Sequence, residues 1–165
     1  MIPDYRQIDK PANAPARLLA DGMLGRLAKW LRILGFDTVY DPTLDDNALL
    51  RLARAEGRVL LTGDRELARR PGAQSLLVES TELEAQLRQV IVALNLHPDA
   101  AFSRCPVCNV LLETPDKETV RDRVPPYVLR KHTEFRHCPR CDRVYWPGTH
   151  YARMKETMTR LRGQV

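Results

Sequence analysis

The sequence predicts an α/β protein: a parallel sheet flanked by helices, followed by a small cysteine-built module and a C-terminal helix. Three observations predict it. Short apolar runs alternate with amphipathic stretches over residues 17–98. Glycines punctuate those stretches where a helix should stop. Beyond them stand two C-x2-C pairs, Cys105/Cys108 and Cys138/Cys141, which hold all 4 cysteines of the chain.

Each element follows from its residues. Residues 1–16 include Pro3, Pro11 and Pro15 and no apolar period, so they read as a loose leader. Arg17-Leu18-Leu19-Ala20-Asp21 is a short strand ending in an acid. Met23 to Leu34 is a helix with Leu24, Leu27, Leu31 and Leu34 along one stripe, stopped by Gly35. Phe36 to Tyr40 is a second strand, with Asp37 and Asp41 as flanking turn residues. Asp45 or Asp46 caps a helix from Asn47 to Glu56, and Gly57 ends it. Arg58-Val59-Leu60-Leu61-Thr62 has the length and composition of a buried parallel strand. A short helix follows over Arg65–Arg69, then a strand over Ser75–Glu79. Thr81 caps a helix running to about Leu94. Strands alternating with helices imply right-handed crossovers and helices on both faces of the sheet. Residues 17–98 form one domain, and residues 102–165 form a second module with a basic final helix.

A two-residue spacer lets both sulfurs of a C-x2-C pair turn toward one point. Two such knuckles make a tetrahedral four-sulfur site, which Zn2+ accepts at about 2.3 Å per bond. The 29 residues between Cys108 and Cys138 exceed the usual ribbon spacing. A disulfide pair or a redox dithiol is the alternative. A redox site would need only one pair, and Met1-Ile2-Pro3-Asp4-Tyr5 has neither a basic n-region nor an apolar h-region. A cytoplasmic location is the expectation. His132, His137 and His150 lie nearby, but four sulfurs complete a zinc site without them. Four sulfur ligands leave no open position, so this zinc is structural and chemistry belongs elsewhere.

Charge is unevenly placed. The net charge is +5, yet residues 1–103 carry 13 basic and 14 acidic side chains, while residues 104–165 carry 13 basic and 7 acidic. The positive excess therefore sits on the cysteine module and its tail, which suits a polyanion. No apolar run reaches the ~18 residues of a membrane span.

In open parallel sheets, ligands bind outside the carboxyl ends of the strands. Asp21 lies just past the first strand and Asp64 just past the third. Asp46 lies at the helix start between the second and third. If the first and third strands are neighbours, these acids converge. Carboxylates without a nearby base repel one another, and a hard cation such as Mg2+ or Mn2+ relieves the repulsion. Each acid has a plainer role as an N-cap, Asp45 above all. Arg26, Lys29 and Arg32 recur every third residue along the first helix and are candidates to grip phosphates. In the module, Tyr145, Trp146 and Tyr151 lie among Arg140, Arg143 and Arg153. They suit single-stranded RNA, or else they pack a module with little core of its own.

Three stretches of this sequence resemble the PIN-like RNase of the Mut-seven C-terminal-domain family. They are Leu19-Ala20-Asp21-Gly22-Met23-Leu24-Gly25-Arg26-Leu27-Ala28-Lys29-Trp30-Leu31-Arg32, then Asp46 before Leu49-Leu50, then Leu60-Leu61-Thr62-Gly63-Asp64-Arg65-Glu66-Leu67. The segments around Cys105-Pro106-Val107-Cys108 and Cys138-Pro139-Arg140-Cys141 extend the likeness to a C-terminal zinc ribbon. The resemblance implies a PIN-like sheet whose acidic cluster binds Mg2+ or Mn2+ and hydrolyses RNA. Asp21, Asp46 and Asp64 match the family's acidic positions. PIN nucleases usually present a fourth acid, for which Glu66, Glu79 and Glu82 are candidates without a convincing match. The leading expectation is a metal-dependent ribonuclease whose ribbon docks RNA through Arg140 and Arg143. The alternatives are a non-catalytic RNA- or ribonucleoprotein-binding module and an adaptor that holds a protein partner through the ribbon.

Overall fold

The computed structural model describes residues 16–162. The leader assigned to residues 1–16 lies outside the described residues except for Ala16, which is buried in the core. Four strands form one parallel sheet: β1 (Arg17–Ala20), β2 (Asp37–Tyr40), β3 (Val59–Thr62) and β4 (Ser75–Leu77). Their order is β2-β1-β3-β4. Leu19 of β1 therefore registers with Val39 on one side and Leu60 on the other.

The helices are α1 (Gly25–Ile33), α2 (Asp46–Glu56), α3 (Arg65–Arg69) and α4 (Leu83–Ala93). Strand alternation sorts the core into two layers. Leu18, Ala20, Val59, Leu61 and Leu76 face α1 and α4, joining Leu27, Leu31, Leu87 and Val90. Leu19 and Leu60 face the other way, against Leu49, Leu50, Ala53 and Leu67 of α2 and α3. Helices thus cover both faces, as the alternation of elements requires.

Two glycines are placed by geometry. Gly35, at φ +95°, ends the α1 region in a left-handed conformation, and a Cβ there would fall 2.3 Å from the Ala100 carbonyl oxygen. At Gly25 a Cβ would fall 2.8 Å from the Tyr40 hydroxyl, so the ring of β2 closes over the start of α1. Thr81 does not cap α4. The helix begins one residue later than that role needs, at N-cap Glu82, whose amide donates to the Ser80 hydroxyl at 3.1 Å.

The cysteine module contains α5 (Pro126–Lys131) and an antiparallel pair, β5 (Arg136–His137) and β6 (Val144–Tyr145). Val120, Val124, Val128 and Phe135 make a small core of its own, with Trp146 packed against it. The basic helix α6 (Thr149–Arg162) then leaves the module. Met158 joins the sheet's larger core and Arg160 pairs with Glu84 of α4 at 2.7 Å. The helix that the sequence division groups with the ribbon thus packs on the sheet domain.

The module is clasped to the outer edge of the sheet. Asn109 accepts a hydrogen bond from the Thr38 amide at 3.0 Å and donates to Asp37 at 2.7 Å, so it covers edge strand β2. Asp37 is no turn residue. It opens β2 and takes a bidentate pair of bonds from Arg58, at 3.0 and 3.3 Å. Burial pushes the Asp37 carboxyl up, but the bonds from Arg58 and Asn109 outweigh it and hold the group below its usual range. Asp41, by contrast, is a turn residue, accepting from the Thr43 amide at 2.9 Å.

Candidate active site and cysteine centre

The four sulfurs of Cys105, Cys108, Cys138 and Cys141 all lie within 4.8 Å of one another. Cys105 and Cys141 are 3.7 Å apart, too far for a disulfide. A tetrahedron of sulfurs at the Zn–S bond length has edges of about 3.8 Å, so the spacing suits Zn2+. The two knuckles repeat one backbone design. The amides of Cys108 and Cys141 donate to the sulfurs of Cys105 and Cys138, each at 3.4 Å. The amides of Cys105 and Cys138 donate to the carbonyls of Val110 and Arg143, each at 2.9 Å. Asn109 and Asp142, at φ 65° and 62°, turn the chain after each pair.

The Tyr145 hydroxyl sits 3.2 Å from Cys105 Sγ. Burial raises the Cys105 thiol, yet the bonds from Tyr145 and the Cys108 and Val107 amides bring it down to about 7. Burial and neighbouring sulfurs push Cys108 up to about 12. One sulfur is thus readily a thiolate while another resists ionisation, the tension that a bound dication removes. Tyr145 and Trp146 are both half-buried, the first with its hydroxyl on Cys105 and the second packed against the module's small core. His137 donates to Asp142 at 2.9 Å and lies 3.5 Å from Glu113, outside the sulfur set. The His150 side chain lies outside the described residues.

At the opposite end of the strands, β1 and β3 are hydrogen-bonded neighbours, and Thr62 links the Asp21 carboxylate to the main chain of Asp64. Asp21 is 4 % exposed, and its amide donates to the Leu61 carbonyl at 3.0 Å. Its Oδ1 accepts from the Met23 amide at 2.9 Å, and its Oδ2 accepts from the Thr62 hydroxyl. Thr62 Oγ1 in turn accepts from the Asp64 amide at 2.9 Å. Asp21 therefore makes a local turn rather than a cap on α1, whose N-cap, Leu24, receives no side-chain bond.

Asp64 caps α3 with a single oxygen, Oδ1, which accepts from the Glu66 and Leu67 amides at 2.7 and 3.1 Å. Asp64 is exposed, and among the described residues its Oδ2 accepts no hydrogen bond. Asp45 caps α2 by accepting from the Ala48 amide at 2.7 Å. That leaves Asp46 in the first turn, where Oδ2 faces Arg70 at 3.6 Å. The carboxylates offer only hard oxygen donors, the set that suits Mg2+ or Mn2+. They do not close on one point: among the described residues, the cysteines alone form a group of three or more such ligands within 4.8 Å.

The fourth-acid candidates separate in space. Glu79 follows β4 at the same edge and lies 3.9 Å from Arg65. Glu66 pairs with Arg69 at 3.4 Å on the exposed side of α3. Glu82 opens α4. Thr62 and Arg70 belong to this edge and carried no sequence signal beyond their neighbours.

The basic row on α1 does not stay on one side. A three-residue step falls about 60° short of a full turn, so two steps swing Arg32 by about 120° from Arg26. Arg26 and Lys29 are exposed, while Arg32 is buried. Its guanidinium donates to the Thr38 carbonyl at 2.8 Å and to those of Pro106 and Val107 at 3.1 and 2.9 Å. Arg32 joins the first knuckle to the sheet, with its Nε and Nη1 both taken up by these carbonyls. Arg140 and Arg143 are both exposed on the second knuckle.

Fold and sulfur cluster together define a class, an α/β domain with a four-strand parallel sheet joined to a four-cysteine module. Within that class the family follows: the model of the Mut7-C RNAse domain matches residues 16–158, and the chain belongs to that family. Membership ties it to RNA and to nuclease-like chemistry. No curated protein and no solved structure matches it. Among the described residues, no helix is long and apolar enough to cross a membrane.

Proposed function

We propose that the protein is a Mg2+- or Mn2+-dependent ribonuclease acting at the carboxyl edge of its sheet. One observation carries the reading: Asp21 and Asp64 follow neighbouring strands, and Thr62 bridges the Asp21 carboxylate to the Asp64 backbone amide. Asp21, Asp64 and Asp46 would hold the ion. Bound there, it would supply charge neutralisation at the scissile phosphate and an activated water. The chain's own contribution is position. Thr62 fixes the Asp21 carboxylate, the α3 cap fixes Asp64, and Arg26 and Lys29 on α1 offer cations to the backbone of the substrate. Arg140 and Arg143 dock RNA from the ribbon, and Zn2+ in the four sulfurs keeps that surface in place. Products would carry 5′-phosphate and 3′-hydroxyl ends.

A second reading, RNA binding without cleavage, has its own support. Arg70 occupies Asp46, and the carboxylates stand open. Divalent-ion titration decides between them. Labelled single-stranded RNA is incubated with zinc-loaded protein over a range of Mg2+ and Mn2+. Cleavage that rises and saturates with the ion supports the ribonuclease; RNA bound but uncut at every concentration supports the second reading.

A further inference from the structure

The long gap between the knuckles folds into a surface that neither the zinc site nor the sheet edge uses. It contains a turn of 3-10 helix (Arg121–Arg123) followed by α5. Val120, Val124 and Val128 point into the module's core. The other side of α5 presents Tyr127, an aromatic ring 62 % exposed. Tyr145 and Trp146 are half-buried, so Tyr127 is the most exposed aromatic ring among the described residues of this module.

Two cations share its side of the helix. Arg130 and Lys131 stand three and four positions after Tyr127, on the same side of the helix. Lys117, Arg121 and Arg130 line a cleft of about 210 Å3 together with Leu129 and Glu118. Arg121 already neutralises Glu118 at 2.7 Å. Lys117, Arg130 and Lys131 make no ion pair among the described residues, so their charge is available to a ligand. Arg123 holds the turn against Asp142, which stands between Arg140 and Arg143 in the second knuckle. Arg130 stands on the Tyr127 side of α5 and also lines the cleft, so the ring and the cleft adjoin.

From this placement we propose that the inter-knuckle segment is a binding site for single-stranded RNA. Tyr127 stacks an unpaired base, and Lys117, Arg130 and Lys131 hold the flanking phosphates. A ring beside cations accepts any base with its face free, whereas the bases of a duplex are stacked on one another and closed to it. The inference rests on RNA as the ligand of the protein and adds where, and in which form, RNA is held.

The test measures binding of the full-length, zinc-loaded protein to a fluorescein-labelled RNA by anisotropy, without added Mg2+ or Mn2+. The RNA is used single-stranded and as a duplex. Tyr127→Ala should weaken single-strand binding roughly tenfold, the scale of one lost stacked base. Tyr127→Phe keeps the ring and should stay close to wild type. Arg130→Glu with Lys131→Glu should also weaken binding and lower the salt slope by roughly 0.7 per lost phosphate contact. Duplex affinity should respond little to Tyr127→Ala. Single-strand affinity unchanged in Tyr127→Ala, or lost equally for duplex, overturns the proposal while leaving RNA binding as such intact. A wild type that binds neither RNA form overturns this proposal and the functional reading together.

Discussion

Arg32 offers a sharp test of how the ribbon is held. Arg32→Met keeps most of the side chain's bulk and removes the guanidinium. Three carbonyls then lose their donor: Thr38, which is buried, and Pro106 and Val107, which are partly so. A buried acceptor left unpaired costs about 1–3 kcal/mol, and partly wetted ones cost less because water replaces the donor. Relief from holding a charge in the interior returns part of this. The net expectation is a loss of about 2–3 kcal/mol, equivalent to about 5–10 °C in Tm for a chain of this size. Urea denaturation of the zinc-loaded protein reads it directly. Limited proteolysis should also show earlier cutting between the two knuckles, since the first has lost its anchor. Arg26→Met and Lys29→Met, at exposed positions, should each change stability by less than about 0.5 kcal/mol. An Arg32→Met protein as stable as wild type but weak in RNA binding would refute the clasp and return Arg32 to the phosphate-gripping row.

Three further outcomes follow from the same geometry. The purified protein should carry about one Zn2+ per chain, and Cys138→Ser should expose the inter-knuckle segment to protease while far-UV circular dichroism keeps most of its helical signal; zinc-free protein purified without chelator would count against this. Asp37 has its folded pKa lowered, so the stability it adds is complete above its unfolded value and is lost as pH falls through the folded one. The stability difference between wild type and Asp37→Asn should therefore hold steady from pH 7 to about 4 and shrink below that, and a difference that grows on acidification would contradict the assignment. Arg70→Ala removes a cation beside Asp46, so half-maximal Mg2+ for cleavage should fall about two- to fivefold; an increase would mean that Arg70 supports the ion rather than opposing it.

Much of the fold was legible because its signals are local. Leu18, Leu19 and Ala20, or Val59, Leu60 and Leu61, are apolar on both sides, as strands covered on both faces must be. Gly35 and Gly57 mark helix ends through positive φ, which the residue type alone announces. The C-x2-C spacing fixes the sulfur geometry within each pair. What escaped is long-range. Nothing near Arg32 in sequence shows that carbonyls 74 and 75 residues away will take its donors. Asn109 looks like an ordinary turn residue until β2 lies beside it. The return of α6 to α4 rests on Met158 and Arg160 in an otherwise polar helix. At the sheet edge the positions of Asp21 and Asp64 could be read from strand ends, whereas the engagement of Asp46 by Arg70 depends on how α2 and α3 pack.

The central claim is that Asp64 is an ion ligand as well as a cap, while Asp45 is a cap alone. Asn serves as an N-cap about as well as Asp, so Asp64→Asn and Asp45→Asn should both fold with near-wild-type stability. They should part in chemistry. With labelled single-stranded RNA at saturating Mg2+ or Mn2+, Asp64→Asn should abolish cleavage and keep or raise RNA affinity, as repulsion of phosphate falls. Asp45→Asn should cut at close to the wild-type rate. Ion-dependent cleavage that survives in Asp64→Asn, or that is lost equally in both variants, would contradict the account.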